Sequence, residues 1–177
     1  MMAAGVPQSP LQDWSTPLVT ATDLSLQPCW GCKGSAAAAW LQVQEVPVPE
    51  TPNTWSANVM VTTFRLGRNE FLLAGQGATI ENLRQCSLPA GVYPVWRDGA
   101  ALQLQGGGVP TLLRQICSVD FAACVLDTHP VLLTSMIGVS VIAVPGPHLH
   151  TLRLWFDRSY GYYFQETLRA LAEELQP

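Results

Sequence analysis

The feature that most constrains the fold is an uncharged stretch in the second half of the chain. From Thr128 to Leu152 the sequence contains no Asp, Glu, Lys or Arg. Its apolar part, Val131 to Val144, is too short to span a bilayer, is interrupted by polar residues and glycine, and ends at Pro145-Gly146-Pro147. The stretch therefore predicts buried β-strands, and the rest of the fold must cover them.

The low charge of the whole chain predicts that part of its surface is also covered. Only 12% of the 177 residues are charged and 48% are hydrophobic, whereas globular domains usually carry about 25% charged residues. A domain with so little charge is expected to have part of its surface covered by a partner chain. The formal net charge of −4 offers no basic patch for a phosphate backbone, so nucleic-acid binding is not predicted.

The start of the chain predicts no export. Residues 1–10 have neither the basic beginning nor the continuous apolar run of a signal peptide. We therefore expect a cytoplasmic protein without membrane association. Its five cysteines are then expected to be reduced, because disulfides are rare in the cytosol.

The order of local patterns predicts an α+β fold. Residues 1–22 are rich in Pro, Ser, Thr and Ala without periodicity, so we expect a flexible N-terminal arm, followed by a single domain over residues 23–177. Patterns typical of strand, helix, strand, strand and helix occur over about residues 24–86 and again over about 100–175. The predicted helices begin near Ala36, Ala78, Val109 and Ser159.

Weak internal similarity supports two pseudo-repeated units of the strand-helix-hairpin-helix type. The aligned pairs are Gly34 with Gly106, Trp40-Leu41 with Leu112-Leu113, Phe71 with Phe156, and Glu81 to Arg84 with Glu166 to Arg169. Two such units closing edge to edge would bury both apolar sheet faces and the helices. The sequence therefore predicts a pseudo-symmetric fold.

Six stretches in a characteristic order carry a family resemblance. They are Trp30–Leu41, Pro52–Trp55, Arg65–Leu73, Cys117–Phe121, Leu133–Val139 and Asp157–Tyr160. Together they resemble the gamma subunit of heterotetrameric sarcosine oxidase, a member of the superfamily that includes aminomethyltransferase, the glycine-cleavage T-protein. The resemblance covers roughly residues 24–175.

The resemblance implies a fold like the folate-binding domain of aminomethyltransferases and a role in one-carbon metabolism. It implies a noncatalytic subunit of an amine-oxidising complex, which stabilises flavin- or folate-bearing subunits. FAD, FMN and NAD are then expected only on the larger partner subunits. A stand-alone relative that binds folate or another pterin is the alternative. Self-association of the chain in the absence of its partner is left open.

Three arginines are the candidate ligand-binding residues. Arg84, Arg153 or Arg158 could hold the carboxylate tail of a folate through a bidentate contact, with its ring in an apolar cleft between the two units. For Arg158 the alternative is structural, because its neighbours Asp157 and Ser159 are good helix-capping residues. No catalytic set is predicted, since three histidines and many serines permit only chance triads.

A dense aromatic cluster near the C-terminus is the candidate partner surface. Its members are Trp155, Tyr160, Tyr162, Tyr163 and Phe164. Alternation along a strand sends neighbouring side chains to opposite faces, so some of the aromatic residues must point outward, and aromatic residues are enriched in interface cores. The alternative is that they close the domain's own core.

The remaining motifs favour structural roles. Cys29-Trp30-Gly31-Cys32 has the spacing of a redox dithiol, but the hairpin-rich pattern around it is unlike a thioredoxin sheet, so we expect two core thiols. Neither this pair nor His148-Leu149-His150 has the partners of a structural zinc site, and no metal is predicted. Gly106-Gly107-Gly108 lies between a strand and a helix, where a tight turn is favoured over a phosphate site.

Overall fold

The computed structural model describes residues 8–97 and 99–176. Within these ranges the chain forms eleven strands and four α-helices, which confirms the α+β class. The strands are β1 (Trp14–Ser15), β2 (Thr20–Asp23), β3 (Cys29–Lys33), β4 (Thr54–Ala57), β5 (Val61–Arg65), β6 (Glu70–Gly75), β7 (Tyr93–Val95), β8 (Ala100–Gln105), β9 (Leu132–Met136), β10 (Val139–Pro145) and β11 (Thr151–Phe156). The helices are α1 (Ala37–Val43), α2 (Gly77–Gln85), α3 (Val109–Ile116) and α4 (Gly161–Glu173).

The strands form two antiparallel sheets with one connection pattern. The five-stranded sheet has the order β4-β5-β6-β3-β7, and the six-stranded sheet has the order β1-β2-β8-β11-β10-β9. In each sheet a first strand, β3 or β8, leads into a helix and then into a three-stranded meander. The last strand of the meander, β6 or β11, pairs with the first strand. A further helix, α2 or α4, follows.

The turn from the first strand into the first helix requires glycine in both sheets. Gly34 has a φ of +128° and Gly106 a φ of +136°, a region that residues with a Cβ rarely adopt. A Cβ at Gly34 would lie 2.1 Å from the carbonyl oxygen of Gly91, and one at Gly106 would lie 2.1 Å from that of Leu18. The glycines therefore allow the backbone segments to approach each other closely.

The two sheets pack face to face, and helices cover their outer faces. α1 and α2 share one apolar cluster with the five-stranded sheet, and α3 and α4 share another with the six-stranded sheet. The inner faces meet through residues such as Phe64, Leu72, Ala101 and Trp155. The predicted edge-to-edge closure is therefore wrong. The physical reason is visible in β6, where four consecutive residues are buried, so both faces of the strand need cover.

The predicted N-terminal arm, residues 1–22, is wrong for its second half. β1 pairs with β2, and β2 pairs with β8. Leu11, Val19 and Ala21 are buried in the core of the six-stranded sheet. Strands of two and four residues are too short for a recognisable period, and they are stabilised by a strand far along the chain. Residues 1–7 of the predicted arm lie outside the described residues.

The uncharged stretch forms β9 and β10, and the prediction of buried strands holds for β10 but not for β9, in which only Met136 is buried. The two strands are joined at Ile137-Gly138, and their register places Ser135 opposite Ser140 and Leu133 opposite Ile142. None of the helices in the described residues is long and apolar enough to cross a membrane.

Candidate functional site

A cleft lies between the two sheets, at one end of their shared core. Its volume is about 710 Å³, within the range of about 300–1,000 Å³ that is usual for ligand pockets. Both sheets contribute inner-face residues to its lining, among them Leu72, Ile142 and Trp155. Ser135 and Ser140 add hydroxyl groups on the side of the six-stranded sheet. The lining also includes Ser25, Gln27, Arg97 and Asp157, so the cleft combines an apolar wall with polar and charged groups.

A second cavity of about 570 Å³ shares a wall with this cleft. The residues that line both are Ser25, Gln27, Cys29, Trp96, Arg97 and Gly99. Trp96 is 81% exposed, so an indole ring stands in contact with solvent where the two cavities adjoin. A ligand that extended from one cavity into the other would contact these shared residues.

Two of the three candidate arginines are brought together in the second cavity. Arg84 lines it from α2, and its guanidinium donates to the carbonyl oxygen of Cys29 at 2.8 Å. Arg158 lines it from the turn after β11 and donates to the carbonyl oxygen of Gln8 at 3.3 Å. Arg153, the third candidate, lies on β11 outside the described lining of both cavities and bonds Gln103 at 3.3 Å instead.

Arg97 is a cavity residue that the sequence did not indicate. It lines both cavities and forms a salt bridge with Glu70. Its Nε atom is buried and has no hydrogen-bond partner within residues 8–97 and 99–176. A single arginine in the connection between β7 and β8 carries no local signal, because its pairing with Glu70 and its place in the same cavity as Arg84 arise only when the chain folds.

Asp157 has the helix-capping role that was the structural alternative for Asp157-Arg158-Ser159. The Asp157 carboxylate accepts a hydrogen bond from the Ser159 backbone N–H at 2.8 Å, which caps a short 3₁₀ turn over Arg158–Tyr160. Hydrogen bonds from Ser159 lower the pKa of Asp157. Arg158 remains in the lining of the second cavity, so the cap and the cavity use neighbouring residues.

The aromatic cluster is divided between core and surface. Trp155 packs against Phe64 between the sheets, with ring centroids 4.9 Å apart, and Phe164 is fully buried. These two residues close the chain's own core, which corrects their prediction as partner surface. The physical reason is that β11 and α4 turn these rings inward, a choice that aromatic density alone does not determine.

The three tyrosines of the cluster are exposed. Tyr160, Tyr162 and Tyr163 are 48%, 78% and 51% exposed. The Tyr163 hydroxyl donates to the carbonyl oxygen of Ile137 at 3.0 Å, which attaches α4 to the turn between β9 and β10. We call these three residues the tyrosine surface.

Cys29 and Cys32 lie on opposite faces of β3, because three positions along a strand reverse the side-chain direction. Cys29 lies on the inner-sheet side and donates to the Arg97 carbonyl oxygen at 3.2 Å. Cys32 lies under the helices, and its burial raises the pKa of the thiol to about 12. The two thiols therefore cannot act as a dithiol pair, in agreement with the core role expected from the sequence.

The other motifs have structural explanations. Gly106 occupies the tight turn described above, and the Gly108 N–H donates to the Leu18 carbonyl oxygen at 3.0 Å, so this amide is not directed at an anion. The part of the chain that the structure describes contains no group of three or more His, Cys, Asp or Glu residues that could hold a metal ion.

Comparison with known proteins identifies the fold. No protein-family model matches the sequence, and no curated protein matches it. The structure is similar to a chain of the heterotetrameric sarcosine oxidase from Corynebacterium sp. U-96 in complex with pyrrole 2-carboxylate, with a TM-score of 0.72 and 20% identity. This similarity covers 90% of the present chain and 87% of that chain.

A second solved structure shares the fold. It is the glycine cleavage system aminomethyltransferase T from Bartonella henselae, with a TM-score of 0.61 and 12% identity over 85% of the present chain. The match covers 45% of that protein, so the present chain spans less than half of its length. The fold is therefore like that of a sarcosine oxidase chain and of aminomethyltransferase T, as the resemblance in the sequence implied.

Proposed function

We propose that this chain is a noncatalytic, gamma-type subunit of a heteromeric, sarcosine-oxidase-like amine-oxidising complex. The observation that carries the proposal is the extent of the fold similarity. It includes 87% of one chain of a heterotetrameric enzyme but only 45% of aminomethyltransferase T. The size of the fold thus corresponds to that of one chain of a multisubunit assembly.

In this proposal the larger subunits carry out the chemistry in the cytoplasm. They bind FAD, FMN and NAD, and the present chain holds a flavin- or folate-bearing subunit in its active arrangement. The low charge of the chain, 12% of its residues, supports a surface that is partly covered by such a partner.

The tyrosine surface is the proposed contact with the larger subunits. Its three rings lie within four consecutive residues at the start of α4 and are about half exposed or more. Tyrosine is among the residues that contribute most to protein interfaces, because its ring buries a large area and its hydroxyl can still form a hydrogen bond. Tyr162, at 78% exposure, has the largest fraction left to bury.

Mixing experiments with a matched control test this contact. The purified chain is combined with the flavin-bearing subunits of a sarcosine-oxidase-like enzyme from the same organism, and complex formation is measured by co-elution. We expect the wild type and Tyr93→Ala to co-elute, because Tyr93 is a 59% exposed tyrosine on β7, away from α4. The double variant Tyr160→Ala/Tyr162→Ala should lose association. Equal binding by all three proteins would exclude the tyrosine surface as the contact.

The two pseudo-repeated units belong to the same proposal. The shared connection pattern and the paired glycine turns support them. The strand register suggests one adjustment to the alignment. Cys32 faces Phe71 in one sheet and Leu104 faces Leu152 in the other, so Leu152 rather than Phe156 corresponds to Phe71.

A stand-alone protein that binds folate or another pterin is the second candidate. The observation in its favour is that Arg84 and Arg158 line a cavity that shares a wall with the cleft between the sheets. A pterin ring in the cleft would leave a carboxylate tail near these guanidinium groups, and guanidinium binds carboxylate through two parallel hydrogen bonds.

Thermal unfolding with tetrahydrofolate tests this candidate. A ligand that binds only the folded state raises its stability, by about 2.7 kcal/mol at a hundredfold excess over Kd. Arg84→Gln and Arg158→Gln should reduce the stabilisation, whereas Arg153→Gln, outside the described cavity lining, should retain it. A wild-type protein whose unfolding temperature does not change at saturating tetrahydrofolate would exclude folate binding by the isolated chain.

A further inference from the structure

Three of the four sheet edges in the described part of the chain are protected against pairing with another strand. β1 has only two residues, and β7 contains Pro94, which cannot donate a ladder hydrogen bond. The edge of β4 is covered by the connection that precedes β9. There the N–H of Trp55 donates to the carbonyl of His129, and the N–H of Val131 donates to the carbonyl of Asn53.

The fourth edge, β9, is covered only at its two ends, where the N–H of Val131 donates to the Asn53 carbonyl and the N–H of Ile137 donates to the Ile116 carbonyl. The strand has five residues, contains no proline and lies within the uncharged stretch from Thr128 to Leu152. It forms the outer strand of the six-stranded sheet. Leu133 is 53% exposed, and Ser135 is also exposed. An edge strand of this length without charge or proline is a template for adding another strand.

We propose that β9 is a homotypic interface, to which the β9 strand of a second copy adds in antiparallel orientation. The two six-stranded sheets would then become one continuous sheet with a two-fold axis at Thr134. This inference goes beyond the proposed function and does not depend on it, because the surface involved is a sheet edge and the larger subunits are not required.

The strand is complementary to itself in that orientation. With Thr134 on the axis, Leu132 of one copy lies opposite Met136 of the other, on the side where both residues contact the helix-covered core. Leu133 lies opposite Ser135 on the cleft side. Directly opposed residues of an antiparallel pair lie on the same face. The core-facing side chains of the two copies therefore meet each other, and so do the cleft-facing side chains.

The absence of charge on β9 favours this edge as the contact with a second copy. The chain has a net charge of −4, so two copies repel each other over most approaches. Pairing of the two β9 strands brings no charged residue opposite another, because none occurs between Thr128 and Leu152. A two-fold contact uses the same patch on both copies, and a neutral, self-complementary strand satisfies that requirement.

Light scattering on the isolated chain, from low to high micromolar concentration, tests the proposal with two matched variants. Ser135 and Ser140 are both exposed and lie opposite each other in register, but only Ser135 is on the edge strand. We expect the wild type and Ser140→Lys to dimerise. Ser135→Lys should weaken the dimer by about tenfold or more in Kd, because lysine on an edge strand disfavours pairing.

Hydrogen exchange on the wild type provides a second readout if a lysine variant fails to fold. We expect the amides of Leu132–Met136 to exchange more slowly at high concentration than at low concentration. A wild-type chain that stays monomeric over the whole range would overturn the proposal. Equal dimerisation of the two lysine variants, or unchanged exchange in β9 on dimerisation, would also overturn it.

Discussion

The two sheets are built by the same connections, yet their equivalent outer strands have different surroundings. β4 begins the meander of the five-stranded sheet and is covered by residues 129–131, whereas β9 begins the meander of the six-stranded sheet and lies at its edge. The connection between α3 and β9 crosses to β4, and this crossing produces the difference. A shared connection pattern therefore does not give the same surface on both sheets, and the accessible pairing groups are concentrated on the six-stranded sheet.

The largest expected effect tests whether the glycine turns of the two units are equivalent. Gly34→Ala and Gly106→Ala should each lower the free energy of unfolding by about 3 kcal/mol, because positive φ is strained for alanine and each new Cβ would overlap a carbonyl oxygen. Gly107→Ala is the control, since a Cβ there would have no atom within 4 Å. Its cost should stay below about 0.5 kcal/mol. If urea unfolding shows that either turn tolerates alanine as well as Gly107 does, the two units do not share this requirement.

The next effect concerns equivalent buried positions in β3 and β8, which hold Cys32 and Leu104. The pKa of the Cys32 thiol rises from 9.0 to about 12 on folding. The unfolded chain therefore loses this proton first, so stability decreases as the pH rises above about 9. Between pH 8 and pH 10 the thiol should remove about 1.4 kcal/mol from the free energy of unfolding.

The variant Cys32→Ala isolates this contribution, because other groups that titrate at alkaline pH are common to both proteins. The pH-dependent decrease should be smaller in the variant by about 1.4 kcal/mol. Parallel curves for wild type and variant would mean that Cys32 ionises in the folded chain as readily as in the unfolded one. Leu104, its counterpart, has no proton to lose, so the effect belongs to the five-stranded sheet.

A smaller loss of stability should follow from removing the His129 side chain, which packs on Trp55 where residues 129–131 cover the edge of β4. The His129 ring stacks on Trp55 with centroids 4.4 Å apart, and a stack of this kind contributes about 1 kcal/mol. His129→Ala should lower stability by that amount and accelerate hydrogen exchange at the Trp55 and Val131 amides. His148→Ala, in an exposed turn, is the control. Unchanged exchange in His129→Ala would show that the backbone hydrogen bonds cover β4 without the ring.

The smallest effect is expected on the outer helices. Arg84 pairs with Glu81 on α2, and Arg169 pairs with Glu166 on α4, each three residues apart on an accessible surface. Glu81→Gln and Glu166→Gln should each change the free energy of unfolding by less than about 0.5 kcal/mol. Thermal unfolding at low and high salt checks this. A larger loss for one helix would identify a further difference between the units.

Continuous local patterns made much of the fold predictable. The start predicted for the third helix, Val109, is the one observed for α3, because a proline in its first turn and an apolar period mark it. The strands β1, β2, β4 and β7 were missed, since each has only two to four residues, and three strands stand in each sheet where a two-stranded hairpin was predicted. The face-to-face packing of the sheets was also missed, because it depends on which face of each strand remains uncovered by helices.

The site was predictable residue by residue but not as an arrangement. Arginine chemistry indicated Arg84 and Arg158 separately, and only the packing of α2 beside the turn after β11 brings them to one cavity. Alternation required that some aromatic residues point outward, but it did not determine that Tyr162 is exposed while Phe164 is buried. Arg97 had no signal, because its role follows from contact with both cavities.

The most direct test of the central claim is size-exclusion chromatography with light scattering on the chain alone and mixed with the larger flavin-bearing subunits of a sarcosine-oxidase-like enzyme from the same organism. The account predicts a stable heteromeric peak that contains this chain, and loss of that peak with Tyr160→Ala/Tyr162→Ala. A chain that elutes alone, as monomer or homodimer, in the presence of those subunits would contradict the account.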